Sequence, residues 1–126
     1  MKRVRLVVGI SIGLLLSFVA VSRANAGTYY VSTSGSDANT GTFEAPFLTI
    51  PKAYSVAVAG DTILVRGGRY TVSATISLSK SGTASSKYYL LAYPGERAFL
   101  DCSTMVVGSS NRGIKLSGSY WVVRGF

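Results

Sequence analysis

Histidine is absent from the 126 residues, and cysteine occurs once, as Cys102. The first absence excludes Ser-His-Asp and Cys-His nucleophilic sites within this chain, and zinc sites that depend on imidazole. The second excludes an intramolecular disulfide, so stability has to come from packing. Acids are scarce as well: Asp37, Glu44, Asp61, Glu96 and Asp101 are the five carboxylates, scattered singly. With 48% apolar and only 14% charged residues, the composition does not fit a disordered chain. Thirteen Lys and Arg give a formal charge of +8. Four of them, Lys2, Arg3, Arg5 and Arg23, lie in a segment read below as removed, which leaves nine against five acids, a charge of +4. No basic run is interleaved with aromatics, so a nucleic-acid footprint is lacking, and the mild positive charge suits an anionic polymer.

Residues 1–26 read as an address. Met-Lys-Arg-Val-Arg opens with positive charge, residues 6–21 are uncharged and largely apolar, and Ala24-Asn25-Ala26 is a small-x-small cleavage site. That order predicts a secretory signal peptide cleaved after Ala26, and hence an extracellular or periplasmic product. An uncleaved membrane anchor is the competing reading. A stretch of sixteen residues falls short of the roughly 20 that span a bilayer.

In the remaining residues 27–126, Thr-Tyr-Tyr-Val at 28–31 favours a strand, and 32–43 are dense in turn formers. Thr49, Pro51 and the spacing of Ile50, Ala53, Tyr54, Ala57 and Val58 predict one short amphipathic helix, with Gly60 as its stop. From Asp61 the pattern changes to short apolar strands between Gly/Ser/Asn turns: 62–66, 74–78, 88–93, 98–101, 113–116 and 120–124. No second helix is expected, which disfavours a βαβ sheet. An antiparallel sandwich and a parallel solenoid both remain, although the two-residue hairpin turns of a sandwich are missing. A loose echo favours the solenoid. Thr-Ile-Leu-Val-Arg-Gly-Gly at 62–68 is similar to Tyr-Trp-Val-Val-Arg-Gly-Phe at 120–126, and Tyr-Leu-Leu-Ala-Tyr-Pro-Gly at 89–95 lies between. Leu64, Leu91 and Val123 fall at intervals of 27 and 32 residues, as in coils with loops of varied length.

Several stretches together carry a resemblance: Tyr29-Tyr30-Val31-Ser32, Gly-Ser-Asp-Ala-Asn-Thr-Gly-Thr at 35–42, Pro-Phe-Leu-Thr-Ile-Pro-Lys-Ala at 46–53, the run 60–70, Ala-Tyr-Pro-Gly-Glu at 92–96, and 113–126. They resemble the N-terminal part of the family 9 polysaccharide lyases, which are secreted right-handed parallel β-helix proteins. The resemblance implies an all-β fold, the N-terminal coils only of a right-handed parallel β-helix, with a short N-terminal capping α-helix. An ordinary packing helix in a small α+β domain is the alternative. It also implies a pectate-like acidic polysaccharide as partner, calcium as cofactor of a full-length homologue, β-elimination with a lysine base, and a monomer when full length.

Tested against that chemistry, no residue of this chain takes a catalytic, cofactor-binding or metal role. An EF-type loop started at Asp37 puts Gly41 at position five and Leu48 at twelve, where glycine at six and glutamate at twelve are needed, so Asp37 reads as a turn cap. Asp61 and Asp101 read as turn or cap acids, and Arg66 and Arg69 as solvated turn charges. Lys52, Lys80, Lys87 and Lys115 stand near turns or on exposed faces, and none earns the role of general base. Tyr88, Tyr89, Tyr120 and Trp121 could stack on sugars, with packing the simpler role. The expectation is a truncated, inactive N-terminal piece of a pectate-lyase-like enzyme, without nucleic acid and without membrane contact after signal cleavage. A non-lyase β-helix protein that binds or modifies polysaccharide (an adhesin or an alginate-active protein) and a complete small secreted β-domain are the other readings.

Overall fold

Alternation of inward apolar and outward side chains sets the strands. In the computed structural model, which describes residues 25–126, Ile63 and Val65 are buried while Thr62 and Leu64 face out. All but the last two residues of the expected secretory signal, residues 1–26, lie outside the described residues. The strands are β1 (Thr28–Val31), β2 (Thr62–Val65), β3 (Gly68–Thr71), β4 (Ile76–Leu78), β5 (Tyr88–Ala92), β6 (Ala98–Asp101), β7 (Ile114–Leu116) and β8 (Trp121–Arg124). One helix, α1 (Ile50–Val56), follows β1.

Every strand pairing is parallel. The strands form three sheets, ordered β1-β2-β5-β8, β3-β6 and β4-β7. The chain therefore makes one circuit through β2, β3 and β4, a second through β5, β6 and β7, and starts a third with β8. This is the solenoid, and the antiparallel sandwich is excluded. On the four-stranded sheet partners are offset by 34, 27 and 33 residues, as in Thr28↔Thr62, Leu64↔Leu91 and Leu91↔Arg124. The expected interval of 27 is correct and that of 32 is one short, because Leu91 sits opposite Arg124 and not Val123. The inward column Tyr29, Ile63, Leu90 and Val123 runs along the stack.

Strand β3 was not expected, since Arg66-Gly67-Gly68-Arg69 reads as turn. Gly68 has φ +142, and a Cβ there would stand 2.7 Å from Cγ2 of Thr33. The coil bends tightly on this glycine and re-enters a strand at once. Helix α1 starts as expected: the Thr49 hydroxyl accepts from the Lys52 N–H, and Pro51 fills the first turn. Ile50 and Ala53 are buried, and the helix lies against β1, β2 and β4. It ends at Val56, before the expected Val58, and Gly60 is not its stop. Ala57 is already extended (φ −68, ψ 144), and the Lys80 ammonium takes the carbonyls of Tyr54 (2.8 Å), Ser55 (3.2 Å) and Ala57 (2.8 Å). A cation on the next coil thus satisfies the helix C-terminus.

Candidate functional site

Four of the five carboxylates hold corners of the solenoid. Asp61, 3% exposed, accepts from Gly27 N at 2.7 Å through Oδ1 and from Val58 N at 2.9 Å through Oδ2. Asp37 Oδ1 accepts from the N–H groups of Leu48 and Thr49, both at 2.9 Å, and Oδ2 from the Thr49 hydroxyl at 2.8 Å. Burial opposes ionisation of Asp37, but these donors outweigh it and hold the carboxyl below the usual range. The cap reading of both residues is right.

Glu96 receives Nε and Nη2 of Arg66, each at 2.8 Å, and the Gly67 N–H at 2.8 Å. The Arg66 hydrogen bonds first, and then the Gly67 N–H, lower its pKa to about 2. Asp101 accepts from Ser103 N at 3.0 Å and stands 3.6 Å from Nε of Arg69. Glu44 is exposed and forms no ion pair among the described residues. Calcium needs six to eight oxygen ligands. Here the carboxylate oxygens already face N–H and O–H donors, and no three His, Cys, Asp or Glu gather as a metal site among the described residues. The residues present do not fit calcium.

Arg66 corrects the reading of a solvated turn charge. It makes a two-pronged pair with Glu96 one coil away, and its guanidinium carbon lies 4.8 Å from the Phe43 ring centre and 4.6 Å from that of Tyr93. Arg69 does behave as a surface charge, its side chain 76% exposed. Lys80 is not a free surface lysine, as its three carbonyl contacts show. The sequence carried a signal for the Arg66 pair: Val-Arg-Gly and Pro-Gly-Glu occupy neighbouring corners of the echoed segments. Nothing in the sequence brings Lys80 to the helix end.

The aromatics divide by face. Tyr88 is buried and stacks on Trp121 (4.6 Å between centres, 11° between planes), and Trp121 Nε1 donates to the Lys80 carbonyl at 2.7 Å. These two pack, as the simpler reading has it. Tyr89 points outward, and Tyr120 is half exposed with φ 62 at the corner that leads into β8. The outer face of the four-stranded sheet carries two rows, Thr28–Thr62–Tyr89–Val122 and Tyr30–Leu64–Leu91–Arg124. At its rim Phe43 meets Tyr30 edge-on at 5.4 Å. A separate groove of about 410 Å³ lies between α1 and β3, lined by Thr33, Pro51, Arg69, Val72 and Ser73 among others, with no carboxylate in its wall. No acid–base pair suited to elimination faces either surface among the described residues.

This coil architecture has known relatives. The family described as "Pel9A-like, right handed beta helix region" matches residues 29–126. The chain belongs to that family. It is 49% identical over 76 residues to a pectate lyase, PEL9, of Emericella nidulans, covering 60% of this chain and 18% of that one. A solved rhamnogalacturonan lyase superposes with a TM-score of 0.71 at 32% identity, over 80% of this chain and 28% of that chain. The crystal structure of pectate lyase Pel9A gives 0.68 at 27% identity, over 81% and 28%. The chain thus spans between 18% and 28% of the length of these three proteins.

Proposed function

We propose that this chain forms the N-terminal end of a secreted polysaccharide lyase acting on an acidic, pectate-like polymer by β-elimination. One observation carries the reading: a chain wound into three parallel sheets matches the Pel9A-like right-handed β-helix family over residues 29–126. The names of the relatives, pectate lyase and rhamnogalacturonan lyase, support an acidic polysaccharide as partner. So does the positive balance of residues 27–126.

In this reading residues 1–26 are a cleaved export signal and 27–126 one unit, cap plus first coils. Helix α1 is the cap. It lays Ile50 and Ala53 over the first coil, where apolar core and strand edges would otherwise meet water. Elimination takes the C5 proton of a uronate, breaks the C4–O bond to the leaving sugar and leaves an unsaturated end. The base and the oxygen ligands for calcium, expected in the whole enzyme, belong to other coils, because the carboxylates here are engaged at corners.

The test compares residues 27–126 with a protein that joins this segment to further coils. Polygalacturonate and rhamnogalacturonan are supplied with calcium, and unsaturated uronides are followed by ultraviolet absorbance. The longer protein should release them, and residues 27–126 should not. A longer protein inert on every uronan removes the lyase assignment and leaves a polysaccharide-binding β-helix. Release by residues 27–126 alone refutes the placement of the chemistry.

A further inference from the structure

Asp61 poses a charge problem that the neighbouring side chains do not solve. It is the most buried of the five carboxylates, 3% exposed, and a buried charge is normally paired. Glu96 has Arg66 and Asp101 has Arg69, whereas no Lys or Arg pairs with Asp61 among the described residues. Its carboxylate accepts instead from two backbone nitrogens, Gly27 N at 2.7 Å and Val58 N at 2.9 Å. The first of these is no ordinary amide in an exported chain. Cleavage after Ala26, read from Ala24-Asn25-Ala26, makes Gly27 the first residue. A signal peptidase of the exporting cell adds one water across the Ala26–Gly27 bond. That leaves a carboxylate on Ala26 and an amino group on Gly27, which takes up a proton near neutral pH.

We propose that export processing supplies the missing cation: the new Gly27 ammonium forms an ion pair with Asp61 and so closes the first coil. The nitrogen is already in place, because the Gly27 carbonyl accepts from Thr62 N at 2.9 Å, next to the β1–β2 ladder. Ala26 is exposed, so the two N–H bonds gained on its departure open on a solvated side. The cation keeps part of its hydration while the buried carboxylate gains a counter-charge. Before cleavage the corner is held by a neutral donor and afterwards by a charged one, a bond between opposite charges being the stronger. Position matters to one residue. An amino group one residue earlier would stand about 3.8 Å farther along the chain, and Gly27 would again offer a neutral N–H. The inference rests on the export reading above and not on lyase activity.

The full chain is expressed for export, and the mass of the product identifies its first residue, expected to be Gly27. The product is then acetylated near neutral pH, and each amine is followed by peptide mass spectrometry, with the exposed Lys115 as reference. An α-amino group is ordinarily the most reactive amine under these conditions, because its pKa lies well below that of lysine. Here it should react at least about tenfold more slowly than in a chain with an alanine inserted between Ala26 and Gly27, a factor equal to about 1.4 kcal/mol. Asp61→Asn should restore the fast reaction. Lys80, whose ammonium is held by three carbonyls, reports whether that variant keeps its fold. Where Lys80 speeds up as well, the fold is lost and the insertion decides.

A product that starts elsewhere, or one that retains residues 1–26, would refute the processing reading and the ion pair with it. A Gly27 start with an amino group as reactive as in the insertion chain would refute the ion pair alone. Slow reaction that persists in a folded Asp61→Asn would also overturn it, since burial and not charge would then protect the amine.

Discussion

Replacing Asp61 with alanine would test the claim that carboxylates build the corners of this solenoid. Asp61 is 3% exposed and accepts from two backbone N–H groups, Gly27 before β1 and Val58 after α1, at 2.7 and 2.9 Å. It joins the start of the described chain, the exit of the helix and the entry to β2. Hydrogen bonds to a charged acceptor contribute about 1.5–3 kcal/mol each, and an N–H left buried without a partner costs about 1–3 kcal/mol. Both N–H groups are part-buried, so the lower end applies to each, and the alanine variant should lose about 3 kcal/mol. For a domain of about 100 residues that corresponds to a fall in Tm of at least about 12 °C. Asp61→Asn should keep one N–H satisfied and turn an NH2 donor toward the other, so it should lie between wild type and alanine. The assay is thermal unfolding followed by circular dichroism, with amide hydrogen exchange at Val58 as the local readout. A Tm within about 2 °C of wild type, with the Val58 amide still protected, would refute the corner argument, since a loss below about 0.5 kcal/mol cannot come from two such bonds.

Lys80→Met keeps the aliphatic stem but removes the ammonium from three helix-end carbonyls, and should cost about 1–2 kcal/mol in urea unfolding, with faster exchange in α1. The Glu96 pKa is depressed from 4.5 to about 2, so its contribution is present above about pH 4.5 and is lost as pH falls toward 2. Glu96→Gln should flatten the stability profile across that window; an unchanged acid limb would contradict the pairing with Arg66. In the inward column, Leu90 is fully buried whereas Val123 is 37% exposed. Leu90→Ala should therefore cost about 3 kcal/mol and Val123→Ala under about 1 kcal/mol in denaturant melts of this chain. Equal losses at the two positions would deny that burial grades along the stack.

Much of the fold could be read from residues whose signal is local. Tyr29-Tyr30-Val31 in β1, the capped start of α1 and the apolar run from Tyr88 to Tyr93 each declare an element without reference to the rest. Strand β3 stayed hidden because Gly67 and Gly68 make a turn and a strand entry in two residues, and a glycine pair carries no strand propensity. The end of α1 was misread for another reason. Its last carbonyls are satisfied by a lysine 23 residues beyond Ala57, and sequence order cannot say which corner of the next coil that lysine occupies. The coil period was also blurred, because register offsets of 34, 27 and 33 residues on one sheet coexist with 30 and 38 on the others. Loop length is inexpensive in free energy, so corners vary while strands stay in register. The expected cap roles of Asp37 and Asp61 followed from turn chemistry, whereas the partners of Arg66 and Lys80 depended on stacking.

The engaged carboxylates supply the physical reason for placing the proposed lyase chemistry on other coils. A parallel coil has to turn three times per circuit, and each turn leaves backbone N–H groups that no ladder satisfies. Asp37 and Asp61 each meet two such donors, and Glu96 meets one together with the Arg66 guanidinium; the ionised forms of Asp37 and Glu96 are stabilised by doing so. A carboxylate used this way cannot also hold a divalent cation unless the N–H groups find new acceptors, at a cost of about 1–3 kcal/mol apiece. Catalysis on this architecture therefore needs acids additional to those that close the corners, placed on coils where packing is already secured. In these coils the same residue type is engaged in holding the corners together.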